Sequence, residues 1–354
     1  MPYTEEYQNL TQEELHKRVV AAREKLGTKV FILGHYYQQD DVVQYADVQG
    51  DSYALAKQGA ANNEADRIVF CGVHFMAEVS DILKREGQTV YMPDPEAGCP
   101  LADMADGDQV RNAWQRLEAA GIADDVVPMT YVNSTADLKA FCGKHGGTVC
   151  TSSSAGLAFD WAFKQKPKIF FFPDENLGRN TAHAKGIKND DIAEWDPTER
   201  DGGLSEKQLQ KARVIVWKGY CHVHTFFTMD HVKAAREKYP DCKIVVHPEC
   251  EAAIVDAADG NGSTSFLVDY VKNAPDNSTV VVGTEINLVS RLVHMFPEKK
   301  VVPLARSLCP NMFKTSLRDL CYLLENWPED QIVRVPEYIA KDAKLALERM
   351  LVLK

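Results

Sequence analysis

Residues 228–249 read TMDHVKAAREKYPDCKIVVHPE, an amphipathic helix running into a short apolar strand that ends in HPE. Two other stretches follow the same plan: TQEELHKRVVAAREKLGTKVFILGHYY (11–37) and DGDQVRNAWQRLEAAGIADDVVPMTYVNS (106–134). The strand KIVV is apolar at every position instead of alternating. Parallel strands covered by helices on both faces read this way. The same holds for VFIL (30–33), IVFCGV (68–73), TVYM (89–92), VVPMTYV (126–132), KIFFF (168–172), VIVW (214–217), TVVVG (279–283) and KVVPL (300–304). The fold class is therefore α/β.

A longer period lies over these elements. After the first strand each copy offers a small polar turn: GDS (50–52), TSSS (151–154) or GSTS (262–265). A third strand ends in GVHFMAE, FFPDENLG or VVGTEINL. A fourth ends in a cysteine: AGCP at Cys99, GYCHVH at Cys221, SLCP at Cys309. The pattern predicts three similar α/β/α units with short parallel sheets around a pseudo-threefold axis. They span 1–105, 106–226 and 227–354, the last including C-terminal helices. A charged insert near 180–208, rich in Asp, Gly and Asn, reads as a surface excursion of the second unit. Ligands gather at the carboxyl ends of parallel strands, so the active site is expected at the centre, where those ends meet.

Net charge is −11 with no basic block, which argues against nucleic acid as a partner. Small anions remain suitable ligands, because helix N-termini and a few cations can be focused on one site. No apolar run is long enough to span a bilayer, and the polar, acidic start lacks a secretory h-region. The nine cysteines are odd in number and fit a reducing, cytoplasmic setting better than a disulfide framework.

Any one of these cysteines alone reads as a small packed hydrophobe. Cys99, Cys221 and Cys309 differ because they occupy matched repeat positions. Three converging thiolates can hold zinc, with His222 or His224 as a fourth ligand. They can equally hold a [4Fe–4S] cluster with one iron open. Pro100 and Pro310 stand where His222 stands, so the histidines are not part of the repeated feature and read as packing residues. The other six cysteines read as structural.

Strand-end His35, Tyr37, His247 and Glu249 are candidates for proton transfer. Tyr131 and Asn133 offer a phenol and an amide to a dicarboxylate. Ser52, Ser152, Ser263 and Thr264 precede helices and suit either N-capping or anion binding. Glu78, Glu175 and Glu285 sit in matched third-strand motifs and read as salt bridges between units.

The ordered set GHYYQ (34–38), GDS, GVHFMAE (72–78), TYVNST (130–135), TSS (151–153), PDENLGRNT (173–181), VHPEC (246–250), GSTS and GTE (283–285) resembles the quinolinate synthase family. The resemblance runs from about residue 15 to the C-terminus. It implies a transferase of NAD biosynthesis that condenses iminoaspartate with dihydroxyacetone phosphate to give quinolinate, phosphate and water. It implies one [4Fe–4S] cluster per chain on Cys99, Cys221 and Cys309, its open iron a Lewis acid. It also implies Tyr37 and Glu249 as acid/base groups, with His35 and His247 on substrate oxygens. Ser52, Tyr131, Asn133, Ser152 and Thr264 complete the substrate-binding set. The implied functional partner is an L-aspartate oxidase or dehydrogenase. The C-x-x-C-x-x-C run that some members carry near the C-terminus is missing here, so no redox switch of that kind is expected. Two rival readings use the same thiols: a [4Fe–4S] hydro-lyase acting on a small hydroxy acid, and a non-catalytic zinc or sugar-phosphate binder. Dependence on dihydroxyacetone phosphate separates the first, and the brown colour of an iron–sulfur protein separates the second.

Overall fold

The computed structural model describes residues 5–353. The chain divides into two compact units. One takes the described residues through Cys99 together with Cys309–Val335; the other takes Pro100–Leu308 and the helical segment from Pro336 onward.

The first unit is built on β1 (Val30–His35), β2 (Val48–Gly50), β3 (Arg67–Cys71) and β4 (Thr89–Tyr91). The second unit contains two sheets. One comprises β5 (Val126–Tyr131), β6 (Thr148–Cys150), β7 (Lys168–Phe172), β8 (Ile192–Trp195) and β9 (Val214–Trp217). The other comprises β10 (Lys243–Val246), β11 (Gly260–Asn261), β12 (Thr279–Gly283) and β13 (Lys300–Pro303). A last short strand, β14 (Ile332–Val333), returns to the first sheet. The strand orders are β14-β4-β3-β1-β2, β6-β5-β7-β9-β8 and β11-β10-β12-β13. Every pairing is parallel except β14 with β4. The expected α/β/α units with short parallel sheets are thus present. All residues of β5 and β9 are buried, which is why these strands show no alternation. The second strand of each sheet is too short to stand out as an apolar run.

One device recurs at the same place in the first and third sheets. Arg23, on the Gln12–Leu26 helix, donates to both oxygens of Asp47, at 2.8 and 2.5 Å. Asp47 Oδ2 also accepts the Ile32 amide at 2.7 Å. In the third sheet Arg236 donates to Asp259 at 2.7 Å, and the same carboxylate oxygen accepts the Ile244 amide at 2.9 Å. Each aspartate precedes the second strand and locks helix, first strand and crossover together. The second sheet cannot use this lock. Pro128 stands where Ile32 and Ile244 stand, and proline has no N–H to give. Gly147 replaces the aspartate there, and a Cβ on it would lie 1.8 Å from the Pro128 carbonyl oxygen. Arg349 of the Glu337–Val352 helix instead donates to the Gly147 carbonyl at 2.5 Å.

Two sequence expectations change. The 180–208 segment is more than an excursion: β8 extends the second sheet beside β9, with Ala193 and Trp195 buried. Glu194 interrupts its apolar residues, which hid a strand only four residues long. The C-terminal stretch assigned with the third unit also goes elsewhere. The Leu317–Asn326 helix packs Leu320 and Leu324 with Leu15 and Val19 of the Gln12–Leu26 helix, while the Glu337–Val352 helix lies on the Ala136–Lys144 helix. An amphipathic pattern declares an apolar face but not which sheet will receive it.

Burial opposes ionisation of Asp47, but the bonds from Arg23 and the Ile32 amide outweigh it and hold the carboxyl below its ordinary value. A depressed folded-state value stabilises the fold above the unfolded pKa and is lost as pH falls through the folded one. Asp47→Asn should therefore cost about 1.5–3 kcal/mol at neutral pH, the range for hydrogen bonds to charged groups. Urea unfolding curves of variant and wild type should converge as pH falls through the depressed folded-state pKa of Asp47.

Candidate active site

β9 and β10 lie in different sheets of the second unit, and the segments that follow them supply one buried cluster. After β9 the chain passes through Gly219, whose carbonyl accepts the Glu175 amide at 2.8 Å, to Cys221 and the short helix His222–Thr225. After β10 it turns through His247–Cys250, closed by the Cys250 amide on the His247 carbonyl at 3.0 Å. His224, His247 and Glu249 are 1%, 3% and 2% exposed. His224 Nδ1 lies 2.7 Å from Glu249 Oε2, and its Nε2 lies 3.1 Å from the Thr284 hydroxyl. A carboxylate only accepts, so Nδ1 carries the proton and Nε2 accepts from Thr284 in the neutral ring. The His224 and His247 rings stack with centroids 4.4 Å apart. Tyr131, at the end of β5, also hydrogen-bonds the Glu249 carboxylate.

Burial resists a charge on Glu249. The imidazoles of His247 and His224, with the bonds from His224 and Tyr131, overcome that resistance and bring its pKa down to about 2. Asp174 moves the other way: burial, joined by the nearby Glu249 charge, raises it well above the carboxylate range. Its side chain caps the Glu175–Ala184 helix by accepting the Leu177 amide at 2.7 Å. Its Oδ2 is buried with no hydrogen-bond partner among the described residues. The environments of these two neighbouring buried carboxyl groups thus push their pKa values apart, a pattern that marks acid/base sites.

The strand-end histidines share a local geometry. The Tyr37 amide donates to His35 Nδ1 at 3.2 Å, and the Glu249 amide approaches His247 Nδ1 at 3.4 Å. In each neutral ring this puts the remaining proton on Nε2. Tyr37 packs edge-on to His35, with ring centroids 4.9 Å apart, in the first unit.

Of the expected substrate residues, Tyr131, His247 and Glu249 come together in this cluster. Asn133 and Ser152 stand half-buried after β5 and β6, and buried Thr264 follows β11. Ser52 and Thr264 open their helices, while Asp51 and Ser263 do the capping, at 2.9 and 3.3 Å. The three matched glutamates do not share a register. Glu285 caps its helix through the Asn287 amide, Glu175 stands beside Glu194, and Glu78 lies a turn into its helix near His74. Each of these contacts is a local one.

Sequence reasoning set His224 aside as packing; the structure puts it at the centre of the cluster. Thr284 and Asp174 lie inside the quoted motifs GTE and PDENLGRNT, but no residue pattern showed their part. Lys139 gave no signal at all. It is fully buried, and its ammonium donates to the Ser134 carbonyl and, at 3.4 Å, to the Ser134 hydroxyl. The Ser134 hydroxyl donates in turn to the Tyr131 carbonyl at 2.7 Å, which braces the turn bearing Asn133.

The cysteines fall into two groups. Cys71, Cys142, Cys150, Cys242, Cys250 and Cys321 are buried, whereas Cys99, Cys221 and Cys309 are partly exposed. Burial pushes Cys71 and Cys321 up to about 12 and also raises Cys142, Cys150 and Cys250, so these are poor thiolate donors. The partly exposed thiols suit metal ligation. Ligand atoms of Cys221, His224 and Glu249 lie within 4.8 Å of one another. Both His224 nitrogens are already engaged, however, so a zinc site that uses this imidazole would first have to break the Glu249 or Thr284 bond.

The family model described as Quinolinate synthetase A protein matches residues 17–352. The quinolinate synthase of Bacillus subtilis (strain 168) is 46% identical over 352 residues, covering 98% of this chain and 95% of that protein. Quinolinate synthase of Geobacillus sp. (strain WCH70) is 48% identical over 99% of this chain and 96% of its own. That of Streptomyces coelicolor is 48% identical, with coverage of 96% and 88%. With its strand-end motifs carried on these α/β units and this match along almost its whole length, the chain belongs to the quinolinate synthetase A family.

Proposed function

We propose that this chain is a quinolinate synthase that condenses iminoaspartate with dihydroxyacetone phosphate and releases quinolinate, phosphate and water. The observation that carries the reading is the buried Glu249 carboxylate, held ionised by two imidazoles and a phenol, in a chain 46–48% identical to quinolinate synthases. Making a pyridine ring from these substrates requires protons to leave carbon and nitrogen and to reach departing oxygens. A carboxylate near 2 is by itself a weak base at neutral pH. Bonded to His224 Nδ1 it fixes the tautomer and orientation of that ring, so the imidazoles carry protons and Glu249 positions them. His35 and His247 offer Nε2–H to substrate carboxylate or carbonyl oxygens. Tyr37 and Tyr131 offer phenols, and Ser52, Asn133, Ser152 and Thr264 offer neutral polar groups to carboxylate or phosphate oxygens.

The partly exposed thiols of Cys99, Cys221 and Cys309 are the residues that would hold a [4Fe–4S] cluster. When bound, such a cluster with one iron lacking a protein ligand supplies a Lewis acid toward a substrate oxygen. Iminoaspartate hydrolyses readily in water, so the reading calls for an enzyme that oxidises L-aspartate, an oxidase or a dehydrogenase, as supplier. No helix among the described residues is long and apolar enough to cross a membrane. A cytoplasmic site of action fits cysteines kept as thiols.

Protein purified without oxygen should contain about four iron and about four sulfide per chain. It should form quinolinate only when dihydroxyacetone phosphate is present; zinc in place of iron, or turnover without that substrate, would sink the proposal. Alanine at Cys99, Cys221 or Cys309 should abolish both cluster and activity, and an intact cluster in any one of them would refute its place in the ligand set. Glu249→Gln should keep its iron while kcat falls roughly 10²–10⁴-fold, the usual worth of positioned acid–base chemistry. Near-wild-type turnover in that variant would remove Glu249 from the mechanism.

A further inference from the structure

The turn that carries Glu249 has no regular structure of its own, yet its carboxylate must meet His224 from another sheet. We infer that Asn180 is the positioning residue that sets this turn: its side-chain amide ties down the carbonyls on either side of Glu249. The Nδ2 group donates to the Pro248 carbonyl at 2.9 Å and to the Cys250 carbonyl at 2.8 Å. Both amide hydrogens are thereby used, and the peptide group before Glu249 and the one after Cys250 are held from one point.

The holder is itself fixed. Asn180 is 9% exposed and lies on the Glu175–Ala184 helix, which follows β7. That helix sits flush on the second sheet at Gly178, where a Cβ would meet Phe171 at 2.6 Å and Val216 at 2.8 Å. Its first turn is capped by Asp174. The same sheet feeds the segment bearing His224, so Asn180 and His224 share one foundation while Glu249 comes from the third sheet. Asn180 thus transmits the frame of the second sheet to the carboxylate of the third. The residue type matters: an aspartate of the same shape donates nothing in its ionised form and would face two carbonyl oxygens.

This inference rests on the proposed function and is tested with the full chain, loaded with its cluster. Asn180→Asp and Asn180→Ala should each lower kcat about 10²-fold, the scale on which an ångström of misplacement acts. Iron content should be unchanged, and the loss should fall mainly on kcat and less on KM, since the group chiefly displaced is the Glu249 carboxylate. The deciding comparison is the cycle with Glu249→Gln. If Asn180 acts through Glu249, Asn180→Ala should reduce the residual rate of Glu249→Gln by less than about threefold. An equal loss in both backgrounds, or wild-type kcat in both Asn180 variants, would overturn the inference. If the aspartate variant does not fold, the alanine variant carries the same comparison, because water can reach the two carbonyls. Wild-type protein that makes no quinolinate overturns the functional reading and this inference with it; active wild type with unaffected Asn180 variants overturns this inference alone.

Discussion

The second unit depends on keeping one carboxylate charged where water does not reach. Glu249 is 2% exposed, and an isolated buried carboxylate would take up a proton to escape the cost of its charge. It stays ionised because His224 and His247, from the segments after β9 and β10, and Tyr131, from the end of β5, are brought to it. Asp174, buried close by but bonded only to backbone amides and facing the Glu249 charge, goes the other way, toward the neutral form. The difference between the two carboxyls is made by partners, not by depth. Those partners arrive from different sheets, so the chemistry of the cluster is a consequence of how the second and third sheets are joined.

Repetition explains both the similarities and the departures among the three sheets. The Arg23–Asp47 and Arg236–Asp259 locks are the same solution to the same need: a carboxylate that joins a helix arginine to a first-strand amide. Pro128 removes that amide from the second sheet, and the local structure changes with it, to Gly147 and an arginine from the last helix. His35 and His247 show the same economy at strand ends, each receiving an amide from two residues onward. At the corresponding end of β5 stands Tyr131, whose hydroxyl serves Glu249 instead.

Much of this was legible in the residues. Continuous apolar runs announced nine of the parallel strands, because a strand covered on both faces has no polar side to display. The matched positions of Cys99, Cys221 and Cys309 separated them from six other cysteines, and these three are also the ones left partly exposed. The short strands β2, β6, β8, β11 and β14 escaped notice because two to four residues carry too little pattern. His224 was misjudged for a different reason. Its histidine neighbour His222 has no counterpart in the repeat, and nothing within GYCHVH announces a glutamate met only through folding.

Residue order alone thus determined the elements, their repetition, the strand ends where chemistry would collect and the thiols set apart from the rest. Those features follow from local periodicity and spacing, which a linear chain displays openly. Tertiary structure decided which carboxyl is charged, which imidazole supports it, where the C-terminal helices rest and which amide steadies the Glu249 turn. Each of these depends on a distance between residues far apart in the chain. Electrostatic energy in a buried site rises steeply as that distance shortens, so such a property exists only once the chain has closed around it.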